Sequence, residues 1–146
     1  MEYKQTEFFD LVDIAIRLNK QNRKDEYKHI LTIKQYFVEF CSLRISVGRQ
    51  VGSTSYIKAH SNKNSIIISD KLIRRCDYKQ CEYAHFLSFN DFNTSLGIKL
   101  RGYSMDNIDT VYIDNAYFMS KQQIENMYEV MTICYKSKDI TFVFLG

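Results

Sequence analysis

Apolar residues recur at intervals of three and four in the first part of the chain, and at intervals of two or continuously in the rest. The first set predicts a helix over about residues 6–19, with Thr6 as a candidate N-cap. After a polar stretch at residues 19–25, helical spacing returns from Tyr27 to Val38. Residues 1–39 are therefore predicted to form a helical hairpin or an N-terminal helical lead-in.

From about Phe40 the pattern is typical of strands. Short runs of β-branched and aromatic residues predict five strands, at residues 40–47, 65–69, 85–89, 110–114 and 140–145. Before the last strand, apolar spacing from Ile124 to Ile133 predicts a helix of about 15 residues with Ser120 as its N-cap. Unbroken apolar strands separated by helices favour a parallel sheet covered on both faces. We predict an α/β fold, with a mostly parallel sheet of about five strands and flanking helices.

Length and composition limit the possibilities further. The 146 residues, 45% of them hydrophobic, can bury one core but are too few for two ordinary domains, so we expect a single domain, 1–146. The formal charge of +3 is too small to identify a nucleic-acid binder by itself. The four cysteines have no partners at zinc-ligand spacing, so we expect no zinc. Without a signal-like start or an apolar run of about 18 residues, we expect a soluble, cytoplasmic protein with no membrane partner.

The stretch at residues 47–54, Val-Gly-Arg-Gln-Val-Gly-Ser-Thr, follows the first predicted strand and opens a predicted helix. A phosphate-binding loop needs small residues, inward-facing amides at a helix N-terminus, a lysine for the phosphates and a hydroxyl for magnesium. Ser53 stands where the lysine is required. The candidate nucleotide-binding residues are Gly48, Arg49, Gln50, Gly52, Ser53 and Thr54. An ordinary strand-to-helix turn with a glycine is the alternative.

A second informative segment is the apolar strand at 110–114, which ends in Asp114 about 60 residues after the loop. In a P-loop enzyme such an aspartate holds magnesium through water, so Thr54 and Asp114 are the candidate metal ligands. The next position, where a glutamate would activate water, carries Asn115, whose amide cannot accept a proton at neutral pH. The alternative is that Asp114 caps a turn at the strand end.

Together these segments resemble the ATPase domain of large terminase subunits, the viral DNA-packaging motors, and more loosely the helicase-like P-loop ATPases. Residues 48–54 resemble a terminase loop of the form Ser-Arg-Gln-Leu-Gly-Lys-Thr. Residues 99–104 resemble the Arg-Gly-x-Ser stretch of that family, and residues 114–118 its Asp-Glu-x-x-Phe. The resemblance covers about residues 40–146 and implies a truncated P-loop NTPase-like core, without the coupling motif and the nuclease domain. It also implies ATP and Mg²⁺ as cofactors.

Ser53 and Asn115 depart from the family pattern at the two positions on which phosphoryl transfer depends most. We therefore expect a catalytically degenerate P-loop ATPase-like viral protein, not an enzyme, in the cytoplasm of the host cell. Its expected role is a binding or regulatory module toward a protein partner: a motor, a nucleic-acid enzyme or a host factor.

Two other functions stay open at this point. One is an active terminase- or helicase-like ATPase in which Arg49, or Arg44, replaces the loop lysine. The other is a small nucleic-acid-binding protein that uses Arg74, Arg75 and Lys79, although a solvated helix face explains these cations equally well.

Overall fold

All five predicted strands are present and form one sheet. The computed structural model describes residues 2–46, 52–94, 107–134 and 139–146. In those ranges the strands are β1 (Ser42–Ile45), β2 (Ser65–Ser69), β3 (His85–Ser88), β4 (Thr110–Ile113) and β5 (Thr141–Leu145). They lie in the order β1-β5-β4-β2-β3, and every neighbouring pair is parallel. The prediction of an α/β fold with a parallel sheet and flanking helices is therefore confirmed.

The helices differ from the prediction mainly near the N-terminus. The observed α-helices are α1 (Glu2–Gln21), α2 (Asp25–Ile30), α3 (Ile33–Phe40), α4 (Ser53–His60) and α5 (Lys121–Cys134). Thr6 lies inside α1, so its prediction as an N-cap is wrong. The segment 27–38 contains two helices because Thr32 starts a new one: its Oγ1 accepts from Gln35 N at 3.2 Å, and Gln35 Oε1 accepts from Thr32 N at 3.0 Å.

Short 3-10 helices follow three of the strands within the described residues. They span Leu72–Tyr78, Phe89–Phe92 and Ala116–Phe118. The predicted N-cap of α5 is confirmed, since Ser120 Oγ accepts from Gln123 N at 3.1 Å. Among the described residues, no helix has both the length and the apolar character needed to cross a bilayer.

Alternating side chains of the strands fill two separate cores, one on each face of the sheet. In β4, Val111 and Ile113 enter the core that also contains α3 and α5, whereas Tyr112 enters the core that contains α1 and α4. The other strands alternate in the same way, which explains their unbroken apolar sequences. The face covered by α1 and α4 is called the α4 face below.

The N-terminal helices cover both faces of the sheet. Phe8 and Val12 of α1 are buried on the α4 face, and Phe37 of α3 is buried on the other. Arg23 ties this region to the sheet: its Nη2 donates to Asn19 Oδ1 at 2.8 Å and to Thr141 Oγ1 at 2.7 Å. The helices before β1 are thus layers of the same unit as the sheet.

The strand order determines where a ligand would bind. The chain passes from β2 to β3 in one direction and then returns to place β4 on the other side of β2. In open parallel sheets, ligands bind at the carboxyl ends of the strands, beside such a reversal of strand order. Asp70 follows β2 and Asp114 follows β4, so both carboxylates lie at this edge.

Candidate functional site

Thr54 and Asp114 meet at the carboxyl edge of the sheet. Thr54 Oγ1 donates a hydrogen bond to Asp114 Oδ2 at 2.7 Å. Thr54 is the second residue of α4, and the alternation along β4 turns Asp114 toward the same α4 face. Asp114 is only 2% exposed. The loop hydroxyl and the strand-end carboxylate, 60 residues apart, therefore share one partly buried polar contact.

The start of α4 resembles an anion-binding helix N-terminus in its backbone. Gly52 precedes the helix with φ +107°, a left-handed conformation that a side chain would strain. Its carbonyl accepts from Tyr56 N at 2.8 Å, and no side chain caps the helix. The first amides of a helix have no acceptor within the helix itself, so those at the start of α4 suit an anion. Gly48, Arg49 and Gln50, predicted to complete this site, lie outside the described residues.

Two further groups hold Asp114 in place. The hydroxyl of Tyr78 donates to Asp114 Oδ2 at 2.5 Å, and the backbone N–H of Asn115 donates to Asp114 Oδ1 at 3.0 Å. Burial, and then the negative charge of Asp114, raise the pKa of Tyr78 above its ordinary value. Its hydroxyl therefore stays a proton donor at neutral pH. The sequence contained no signal for this contact.

Asn115 is turned toward the end of β2. Its backbone has φ +56°, the left-handed region that asparagine tolerates better than most residues. Its Nδ2 donates to Asp70 Oδ1 at 3.1 Å, and Ser69 Oγ donates to the same oxygen at 3.1 Å. Burial acts to raise the pKa of Asp70, but these two hydrogen bonds and the charge of Arg74 outweigh it, so the pKa is lowered. Sequence reasoning missed Asp70, although its place after an apolar strand matches that of Asp114.

The donor atoms present fit magnesium bound together with a phosphate. A hydroxyl and a carboxylate are oxygen ligands of the kind that Mg²⁺ takes, and Mg²⁺ usually adds phosphate oxygens and water. Among the residues that the structure describes, no three His, Cys, Asp or Glu side chains converge as a metal site. Thr54 and Asp114 supply two such oxygen ligands, and phosphate or water would have to supply the others.

The predicted cationic residues lie elsewhere on the surface. Arg74 and Arg75 are exposed on the 3-10 helix Leu72–Tyr78, with Lys79 directly after it. Arg74 Nε lies 3.4 Å from Asp70 Oδ1, and Arg75 Nε donates to Tyr83 Oη at 3.0 Å. The structure therefore brings Arg74 close to Asp70 but shows none of the three cations bonded to Asp114.

Arg44 does not reach the Thr54–Asp114 contact. Its guanidinium carbon lies 4.9 Å from the ring centroid of Phe144. Phe144 belongs to the core that contains α3 and α5, on the face of the sheet opposite α4. Arg44 therefore does not supply the missing loop charge in this conformation.

Comparison of the chain with protein-family models, with curated proteins and with solved structures finds no match. The resemblance to large terminase subunits therefore stays a prediction from residues 48–54, 99–104 and 114–118. Residues 99–104 lie outside the described ranges.

Proposed function

We propose that this chain is a P-loop ATPase-like module of viral type that binds a magnesium nucleotide weakly and does not hydrolyse it. The observation that carries the proposal is the 2.7 Å hydrogen bond between Thr54 Oγ1 and Asp114 Oδ2 at the carboxyl edge of a parallel sheet. An ordinary strand-to-helix turn does not require a buried carboxylate on a second strand to meet the helix at this position.

Each part of the site has a separate task in binding. The first amides of α4, preceded by Gly52, would donate to phosphate oxygens, and the helix dipole favours an anion there. Thr54 and Asp114 would hold magnesium, directly or through water. When bound, this ion offsets negative charge on the phosphate oxygens. In this proposal the fold would offer a place for the phosphate and the metal beside the carboxylate of Asp114.

Loss of hydrolysis follows from two side chains. Ser53 has no charge with which to stabilise the phosphates, in the position where a P-loop has its lysine. The side chain of Asn115 cannot take a proton from water at neutral pH, and its Nδ2 donates to Asp70 Oδ1 at 3.1 Å. A charged hydrogen-bond donor contributes roughly 1.5–3 kcal/mol. Binding without the lysine is therefore expected to be roughly 10- to 150-fold weaker than in an intact loop, because 1.4 kcal/mol corresponds to a factor of ten.

Titration calorimetry with ADP and Mg²⁺ tests this function. We expect the unchanged chain to bind roughly 10- to 150-fold more weakly than a loop with the lysine, from the preceding estimate. Ser53→Lys should tighten binding at least tenfold, whereas Ser53→Ala, the matched control, should leave it unchanged. Thr54→Val should remove the dependence on Mg²⁺. Absence of binding at millimolar ADP in both the unchanged chain and Ser53→Lys would refute the proposal.

The same preparation distinguishes the active-ATPase alternative. Release of phosphate from ATP is expected to stay at the rate of a protein-free control. Steady turnover that Arg49→Ala abolishes would instead favour an enzyme in which Arg49 replaces the loop lysine. Turnover that survives Arg49→Ala but is lost in Asp114→Asn would show an active site without that arginine.

The regulatory part of the proposal requires a protein partner. Leu11, Ile14 and Leu18 are exposed on α1 at intervals of three and four residues, so they form one apolar stripe on its outer side. Such a stripe on a surface helix is a suitable contact for a motor subunit or a host factor. Because these side chains are exposed, Leu18→Ser should leave folding intact while weakening any complex formed through α1.

A nucleic-acid strand is a second candidate ligand, favoured by exposed aromatic residues at the carboxyl edge. Tyr117 and Phe118, 77% and 56% exposed, follow the Asp114–Asn115 turn after one residue. Asn115 is bonded to Asp70, which in turn lies close to Arg74. Aromatic faces beside cations suit single strands. Three phosphate contacts predict a slope of about −2 in log affinity against log salt. A flat salt response, or binding unaffected by Tyr117→Ala, would remove this candidate.

A further inference from the structure

Tyr78 is buried beside Asp114 although it belongs to a surface segment. It is the last residue of the 3-10 helix Leu72–Tyr78, whose preceding residues are exposed, yet it is only 1% exposed itself. Its ring lies in the core of the α4 face, with its centroid 5.6 Å from that of Phe86. Its hydroxyl reaches Asp114 Oδ2 at 2.5 Å, the same oxygen that accepts from Thr54 at 2.7 Å.

These contacts use most of the accepting capacity of Asp114. A carboxylate has about four lone-pair positions. Both positions on Oδ2 are taken, by Thr54 and Tyr78, and one on Oδ1 is taken by the amide of Asn115. A magnesium ion held by both Thr54 and Asp114 would need Oδ2, the oxygen that Thr54 contacts, and no position remains on that oxygen. Binding the ion at this carboxylate therefore competes with the hydrogen bonds already present.

Thr54 and Tyr78 differ in what they do when magnesium binds. The hydroxyl of Thr54 is itself a candidate ligand, so it exchanges one favourable contact for another. The ring of Tyr78 is buried in the core and fixes the position of its hydroxyl. That hydroxyl is not a candidate ligand, so it forms no contact with the ion to replace the lost hydrogen bond. Magnesium binding at Asp114 is therefore opposed mainly by the free energy of the Tyr78–Asp114 hydrogen bond.

We propose that Tyr78 is a built-in competitor of magnesium at Asp114 and so determines how weakly this site takes a magnesium nucleotide. The inference rests on the proposed function, because it concerns the same Thr54–Asp114 site. It adds a reason for weak binding that is independent of the lysine position. It also predicts that the affinity is limited by a residue outside the loop.

Tyr78→Phe tests the inference with a matched control on the same face. Tyr56→Phe is the control, because Tyr56 is equally buried and its hydroxyl donates to Asp13 Oδ1 at 2.6 Å. Tyr56 also lies on α4, so a general loosening of that helix would affect the control too. Affinity for ADP is measured once with Mg²⁺ and once with EDTA. We expect Tyr78→Phe to bind about tenfold more tightly with Mg²⁺ and unchanged with EDTA, since one competing hydrogen bond is removed.

Each result of this experiment separates the two proposals. If the unchanged chain binds and Tyr78→Phe binds more tightly only with Mg²⁺, both proposals stand. If the unchanged chain binds and Tyr78→Phe is no tighter, or Tyr56→Phe tightens equally, the competitor role is overturned and the proposed function stands. If only Tyr78→Phe binds, the competitor role stands and natural nucleotide binding is refuted. If neither binds, both are overturned.

A second measurement covers the case in which Tyr78→Phe does not fold, as judged by circular dichroism. 3-Fluorotyrosine in place of Tyr78 keeps the hydroxyl and provides a single ¹⁹F signal. That signal is expected to shift when ADP and Mg²⁺ are added, because the bond to Asp114 is given up, and to stay in place with ADP and EDTA. A signal that does not move at saturating ADP and Mg²⁺ overturns the competitor role.

Discussion

Replacing Tyr78 by phenylalanine removes one buried oxygen and one of the hydrogen bonds accepted by Asp114 Oδ2. A hydrogen bond to a carboxylate contributes roughly 1.5–3 kcal/mol to stability. Because Tyr78 and Asp114 are only 1% and 2% exposed, little water can replace the lost donor. We therefore expect Tyr78→Phe to lower the free energy of unfolding by about 2–3 kcal/mol.

Thr54→Val and Tyr56→Phe calibrate this value. Thr54 is half-buried, so its loss should cost less, about 1–2 kcal/mol. Tyr56 donates to Asp13, an exposed residue whose carboxylate water can solvate, so Tyr56→Phe should cost about 0.5–1 kcal/mol. The expected order of destabilisation among the three variants follows from how deeply the carboxylate and its donor are buried.

The double variant Thr54→Val, Tyr78→Phe tests whether both hydroxyls act on one oxygen. When one donor is absent, Asp114 Oδ2 depends on the hydrogen bond from the other. The double variant should therefore lose more unfolding free energy than the sum of the two single variants, by roughly 0.5–1 kcal/mol. Urea unfolding followed by circular dichroism measures the unchanged protein and all four variants, with midpoints compared at a common slope. Costs that add within about 0.3 kcal/mol, or equal costs for Tyr78→Phe and Tyr56→Phe, would refute the reasoning.

Three further predictions concern the rest of the molecule. Burial raises the pKa of five core tyrosines: that of Tyr36, those of Tyr112 and Tyr128 to about 12, and those of Tyr56 and Tyr78 further. Since these folded values exceed the unfolded value of about 10, the stability they confer is complete below pH 10 and is lost as the pH rises toward 12. The loss is on the order of 5 kcal/mol in total at pH 11, so circular dichroism should show alkaline unfolding near that pH, and a fold stable at pH 12 would contradict it. Arg23→Ala should lower stability in urea by about 2 kcal/mol through loss of the bonds to Asn19 and Thr141, and Arg23→Lys should recover only part; an unchanged midpoint would exclude this clamp. Asn115→Glu should destabilise the fold, with no gain of ATP turnover, because it sets a second carboxylate beside Asp70; equal stability in urea at pH 7 would contradict this.

The strands were predictable because their signal is local. A parallel strand buried on both faces must be apolar at successive positions, and β2 and β5 are short apolar runs of this kind that the structure finds at or next to their predicted bounds. The break between α2 and α3 was missed because the apolar spacing continues across it. Only the capping box of Thr32 and Gln35 marks the new helix start.

The site was predictable only in part. Thr54 and Asp114 were proposed together from their motif. Their hydrogen bond of 2.7 Å between Oγ1 and Oδ2 depends on the positions of α4 and β4, and both elements have a clear pattern in the sequence. Tyr78 meets Asp114 through the course of residues 70–78, which has no regular periodicity, and its neighbours Leu72 and Ile73 are exposed. The side-chain pairing of Asn115 with Asp70 depends on the order of β2 and β4, which local sequence does not encode.

The location of a bound magnesium nucleotide tests the central claim most directly. Mn²⁺ can replace Mg²⁺ in the complex with ADP, and its paramagnetism broadens the NMR signals of nearby amides. With Mn²⁺ below the protein concentration, we expect the signals of Thr54, Asp114 and Asn115 to broaden more than those of Ser65 and Thr110, at the opposite ends of β2 and β4. Equal or stronger broadening at Ser65 and Thr110, or none at Thr54 and Asp114, would contradict the proposed site.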